Sequence, residues 1–178
     1  LGGVTPWHMS AGAQFRPAPP PAFGSAAFGA GLGGLGGLTA SLTPEQIALA
    51  RGWDYGAGTP TTPGYWNAVA AAFVAEGGLD ERSATEVFAL THSAMFDALI
   101  ACWEAKYHYW TIRPSQVEPG IGLAFGLPNF PSYPSGHSCA SASAGSVLAH
   151  FFPDRAAELD GWVEDAGLSR ILAGIHYR

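Results

Sequence analysis

Lysine is almost missing from this chain. Among 178 residues Lys106 is the single one, and eight lysines and arginines face 14 carboxylates for a net charge of −6. That balance excludes the broad basic surface that nucleic-acid binding requires. Cysteine is scarce as well. Cys102 and Cys139 lie far apart in apolar or small-residue contexts, which reads as two buried thiols rather than a disulfide framework. Zinc-ligand spacings, a G-x-x-x-x-G-K phosphate loop and a G-x-S-x-G nucleophile elbow are all lacking. So is any period-2 alternation long enough for a sheet. Residues 17 to 44 carry no charge, but seven glycines between Phe23 and Leu42 make a poor membrane helix. The chain opens at Leu1 without a basic and then apolar leader, and stops at Arg178 directly after a strongly patterned segment. The expectation is a fragment truncated at its C-terminus, with localisation unfixed by its residues.

What is present reads as helix. With 48% apolar residues the chain can bury one core. Residues 1–42, rich in Gly, Ala and Pro, predict an extended arm with little regular helix; residues 43–178 predict the helical domain. Thr43-Pro44-Glu45-Gln46 combines an N-cap, a first-turn proline and a capping-box glutamine, so a helix runs to about Trp53. Thr62-Pro63 repeats the start signal, and Gly77-Gly78 stop the second helix. From Asp80 a tract without Gly or Pro spaces Val87, Leu90, Met95, Leu99 and Cys102 helically and ends at Arg113-Pro114. A third major helix spans Ser135 to Phe152, and a fourth from about Pro153 carries SRILAGIH. The expected class is all-α, a helical bundle.

Chemistry concentrates in PNFPSYPSGH. Pro134 suits a helix entrance, which places Ser135, Gly136 and His137 in a first turn whose N–H groups have no intrahelical partner. Gly136 allows close approach to its amide, Ser135 adds a hydroxyl, and the helix dipole favours an anion. Taken alone, the tetrapeptide reads equally well as a capping serine beside a core histidine. Lys106 and Arg113 are seven positions apart, two turns if the helix persists, and Arg170 and His176 would lie on neighbouring turns.

Lys106-x6-Arg113-Pro114, Pro134-Ser135-Gly136-His137 and Ser169-Arg170-x5-His176 together resemble the three-part signature of the vanadium-dependent haloperoxidase and type 2 phosphatidic acid phosphatase (PAP2, acid phosphatase) superfamily. The resemblance implies that Lys106, Arg113, Ser135, Gly136 and Arg170 hold the oxygens of vanadate or phosphate. It makes His176 the nitrogen bonded to vanadium, or the nucleophile that becomes phosphohistidine. It makes His137 the acid-base group. Trp103 and Phe130 look like the pocket aromatics that shape a halide site, against the plainer reading that they pack the core. The favoured expectation is a haloperoxidase that carries vanadate and oxidises halide with hydrogen peroxide, Lys106 polarising the peroxide. The alternatives are a cofactor-free acid phosphatase acting on a phosphomonoester and a non-catalytic anion-binding remnant. Such families also imply a bacterial, exported protein, and supply an orienting carboxylate four residues after the last histidine, which here falls beyond Arg178. His108 reads as a bystander beside Tyr107 and Tyr109, Asp97 and His92 as satisfied core or interface groups, and His150 as a favourable charge at a helix end.

Overall fold

A computed structural model describes residues 1–178. It contains helices and loops and no strand, as the lack of alternation predicts. The first 42 residues are more helical than their glycines imply. Helix α1 (Ala26–Leu32) is capped by Ser25, whose side chain accepts from the Phe28 N–H, and α2 (Leu35–Ala40) follows after Gly33-Gly34. Alanine and leucine fill the positions between the glycines, and fully buried Leu35 anchors α2 to the body of the protein.

Helix α3 (Pro44–Gly52) begins with the expected reciprocal cap, the Thr43 hydroxyl accepting from the Gln46 N–H and the Gln46 side chain from the Thr43 N–H. Helix α4 (Thr61–Glu76) starts one residue before the predicted Thr62, behind Pro60 and without a side-chain cap. Helix α5 (Glu81–Tyr109) is capped by Asp80 and, at 29 residues, is about 44 Å long. It ends four residues earlier than the sequence implied. Trp110 adopts a left-handed conformation and Arg113 an extended one, because the proline that follows disfavours helical geometry at Arg113. A single turn, α6 (Pro114–Val117), comes next. Helix α7 (Gly136–Phe151) opens behind Ser135 as expected, and α8 (Ala156–Leu172) follows a 3₁₀ turn at Pro153–Arg155.

Helix α5 packs along α7, α7 along α8, and α4 against both α5 and α7, with α3 closing on α8. The core lies at one end of this bundle, where Trp66, Phe73, Val87, Met95, Leu148 and Leu159 meet. Small residues on α7 permit the close approach: a Cβ at Gly145 would lie 2.6 Å from Val163. The N-terminal segment is fastened to the outside of α5. The Asp97 carboxylate accepts from the N–H groups of Trp7, His8 and Met9 at 2.7, 2.7 and 3.1 Å, and Arg16 pairs with Glu104. Asp97 is therefore the satisfied interface group expected of it, as is His92, bonded to Asn67.

Candidate functional site

The other end of the same helices gathers the polar motifs. Lys106 arrives from the last turn of α5, Arg113 from the extended stretch beyond it, Gly136 and His137 from the first turn of α7, and Arg170 from the last turn of α8. His176 does not sit on α8. That helix closes with the Gly174 N–H bonded to the Ile171 carbonyl and the Ile175 N–H to that of Arg170, a Schellman arrangement with Gly174 at φ +74°. A Cβ on Gly174 would lie 2.2 Å from the Gly122 carbonyl oxygen, so glycine alone lets the chain turn here and swing His176 under the site. Neither predicted pair thus shares a continuous helix: Lys106 and Arg113 meet, as do Arg170 and His176, because loops fold back.

A cavity of about 730 Å³ carries Arg113, Gly136, His137, Arg170 and His176 on its wall, together with Trp103 and Phe130. Those two rings are 5.4 Å apart, and the Trp103 ring lies 3.1–3.2 Å from where a Cβ on Gly136 would stand. Glycine at 136 therefore lets the indole cover the helix N-terminus. Lys106, Arg113 and Arg170 are at most 2% exposed, yet none belongs to an ion pair. Burial lowers Lys106 to about 8 and each of the two arginines to about 10. Three buried cations without a carboxylate partner are costly unless an anion joins them.

The cations differ in what they leave free. All three Lys106 ammonium protons are engaged, by the carbonyls of Pro131 and Ser132 at 2.9 Å and that of Pro134. Lys106 is not on the cavity wall; it braces the loop ahead of Ser135 and contributes charge from behind it. This departs from the expectation of a direct oxygen ligand, and the reason is that the proline-rich loop has carbonyls with no N–H partners of their own to spare. The Ser135 hydroxyl accepts from the Ser138 N–H, which leaves its own proton free to donate. Arg113 donates to the carbonyls of Phe130, Pro131 and Ile175 and, through Nη1 at 3.0 Å, to His176 Nε2. Arg170 bonds Ser169 Oγ through Nε and the Ala50 carbonyl through Nη2, which leaves Nη1 uncommitted.

Because a guanidinium only donates, His176 Nε2 accepts and the imidazole is neutral, with its other nitrogen 3.4 Å from Ser132 Oγ. Burial and the nearby cations hold its pKa well below the ordinary range. His137 is pushed down to about 4 by burial and by Arg170. Its Nε2 is shielded from water and has no hydrogen-bond partner. This orphaned nitrogen, the free N–H groups of the first turn of α7 and the unpaired cations together fit a tetrahedral oxyanion such as vanadate. The sequence reading missed Ser132 and Asp54. Asp54 lies on the cavity wall and acts on Arg170, and the loop carrying it has no motif that could have marked it.

The bundle brings two buried arginines, two histidines and a helix N-terminus to one cavity, with a third buried cation, Lys106, behind it. A family model for the second helical-bundle domain of VCPO matches residues 86–121, which run through most of α5 to Ile121. The structure is similar to the crystal structure of a bacterial protein described as the first bacterial vanadium-dependent iodoperoxidase, with a TM-score of 0.88 and 28% identity. That likeness covers 98% of this chain and 51% of the other, so the chain spans about half the length of that relative. No curated protein sequence matches it. The fold and these likenesses support the vanadium haloperoxidase superfamily.

Proposed function

We propose that this chain forms the vanadate-binding part of a vanadium-dependent haloperoxidase that oxidises a halide with hydrogen peroxide. The observation that carries the reading is the excess of buried positive charge: three cations at 2% exposure or less, none in an ion pair and only Arg170 within reach of a carboxylate, Asp54, beside a cavity that a histidine imidazole faces. Arg170 Nη1 and the N–H groups of Gly136 and His137 would hold the oxygens; His176 Nε2 would take the fourth side as a neutral ligand once Arg113 Nη1 lets go of it, which would free that N–H for an oxygen as well. Bound there, vanadate supplies the Lewis acidity that activates peroxide toward halide.

The protein's own groups do the rest. Lys106 fixes the Pro131–Pro134 carbonyls and adds a charge that favours a dianion over a neutral molecule. His137, neutral at pH 7 and with Nε2 unpartnered, can take a proton from a peroxide-sized molecule and return it to a departing oxygen. Trp103 and Phe130 exclude water from one wall and offer polarisable ring edges to a halide.

The test is to titrate the protein with orthovanadate by calorimetry, then supply peroxide with iodide, bromide or chloride and follow halogenation of an organic acceptor. Vanadate binding and vanadate-dependent halogenation, both lost in His176→Ala, are expected. Hydrolysis of a phosphomonoester that vanadate inhibits, with no halide oxidation, would replace this reading by the phosphatase one. Vanadate binding with neither reaction would leave an anion-binding protein.

A further inference from the structure

A second cavity, of about 510 Å³, adjoins the one that holds the arginines and histidines. Residues 128–130 line both, so one short run of loop is their common wall. Tyr107 and Trp110 also line the second cavity; they are 49% and 69% exposed, with ring centroids 5.5 Å apart. Neither ring belongs to the apolar core.

Trp110 is held out by an uncommon backbone. Its φ is +50°, in the left-handed region that bulky residues rarely enter, and its N–H is bonded to the Lys106 carbonyl at 2.9 Å. The Thr111 carbonyl accepts from the Ser132 N–H at 2.8 Å, which ties this turn to the loop ahead of Ser135. Such a conformation costs energy and persists where neighbours enforce it, most often at functional sites. Two carboxamides, Gln116 and Asn129, complete the lining that matters. Gln116 Oε1 accepts from the Arg113 N–H at 3.0 Å, leaving its amide protons to donate, while Asn129 can donate and accept.

We propose that this second cavity binds the organic acceptor of the reaction, a phenol, with its ring against Trp110 and Tyr107 and its hydroxyl among the amides of Gln116 and Asn129. The inference rests on the halide-oxidising reading of the neighbouring cavity, and chemistry selects the occupant. Oxidised halide is released as hypohalous acid, an electrophile that attacks rings made electron-rich by a hydroxyl group. In the transfer the ring carbon–halogen bond forms, the halogen–oxygen bond breaks, and the departing hydroxide takes the ring proton to become water. The volume lies within the range of small-molecule sites, roughly 300–1,000 Å³, and aromatic walls with a few amides both hold and orient such a ring. With residues 128–130 shared, the bound ring stands beside the source of the electrophile.

The experiment first titrates the vanadate-free protein with p-cresol, followed by NMR, and compares its methyl ether, which lacks the hydroxyl proton, and cyclohexanol, which lacks the aromatic ring. Binding of p-cresol is expected, with the ether about fivefold weaker and cyclohexanol weaker still. Trp110→Gly removes the ring and relieves the left-handed backbone, so it should fold and should weaken p-cresol binding about tenfold. With vanadate, peroxide and iodide supplied, the same variant should raise the KM for p-cresol by a similar factor. Triiodide formation needs no organic acceptor and separates the two readings: its absence from a vanadate-loaded parent whose p-cresol binding depends on Trp110 would overturn the halide-oxidising reading while the phenol site stands. Unchanged affinity in Trp110→Gly, equal binding of the ether, or a dimer that depends on Trp110 and takes no p-cresol would each overturn the assignment.

Discussion

The two ends of the bundle use the same helices for opposite purposes. At one end α4, α5, α7 and α8 close on Trp66, Phe73, Met95, Leu148 and Leu159, where aromatic rings meet at centroid distances of 4.8–6.5 Å and the Trp66 indole N–H donates to Ser141 Oγ at 3.0 Å. At the other, α5, α7 and α8 end in Lys106, His137 and Arg170, and the side chains there are held mostly by carbonyls of loops. The apolar end is satisfied by the protein itself except for the Thr91 hydroxyl, which has no partner. The polar end is not: it keeps an orphaned imidazole nitrogen and three cations outside any ion pair, with Asp54 near Arg170 the one counter-charge that acts on them. The lesson is that the large aromatic core is gathered at one end, while the other keeps only a small cluster around Leu172 and Ile175 and leaves polar groups uncommitted.

The sharpest way to test that division is to damage the apolar end. Trp66→Ala removes a fully buried indole and should cost about 3–5 kcal/mol in urea unfolding. Phosphate affinity, measured where the variant is still folded, should stay within about twofold of the parent. A large loss of affinity would show that the two ends are one cooperative unit and dissolve the comparison.

Acid should strike the polar end first. His137 in the folded protein titrates at about 4 and His176 well below 6.5, whereas both return to about 6.5 on unfolding. Between these values the unfolded chain binds more protons, so stability falls as pH drops from about 6.5 through 4, by about 3 kcal/mol for His137 alone. Urea midpoints taken across that window check it. His137→Gln should flatten the dependence, and a parent whose midpoint is constant down to pH 4.5 would contradict the burial of neutral imidazoles.

Anion binding should act in the opposite sense. At about 100 times its dissociation constant, phosphate should stabilise the protein by about 2.7 kcal/mol, read as a rise in Tm. The smallest expected change belongs to Gly136→Ala. The added methyl meets the Trp103 ring at 3.1–3.2 Å, which a small movement of the indole relieves, so stability should change by no more than about 1 kcal/mol while the phosphate effect shrinks. Full retention of the phosphate effect would place the anion away from the α7 N-terminus.

Much of this molecule is legible from local signals. The capping box at Thr43, the Asp80 cap, the Ser135 entrance to α7 and the all-helical class follow from short-range rules that act within a turn or two. The identities of the cations and histidines around the cavity were readable for the same reason: each sits in a short motif. Helical spacing, however, was the wrong guide to how they meet. Arg113 is taken off α5 by the proline after it, and His176 is taken off α8 by Gly174, whose left-handed turn depends on a backbone 52 residues away at Gly122.

The sequence by itself determined the helices, their caps and the residue types that an oxyanion needs, since propensity and capping are properties of neighbouring residues. Only the tertiary structure decided that Lys106 gives all its protons to the Pro131–Pro134 loop and that Arg113 faces His176. Those outcomes depend on which loop carbonyls and which helix faces are brought together by packing, and no local pattern in the chain encodes that distance.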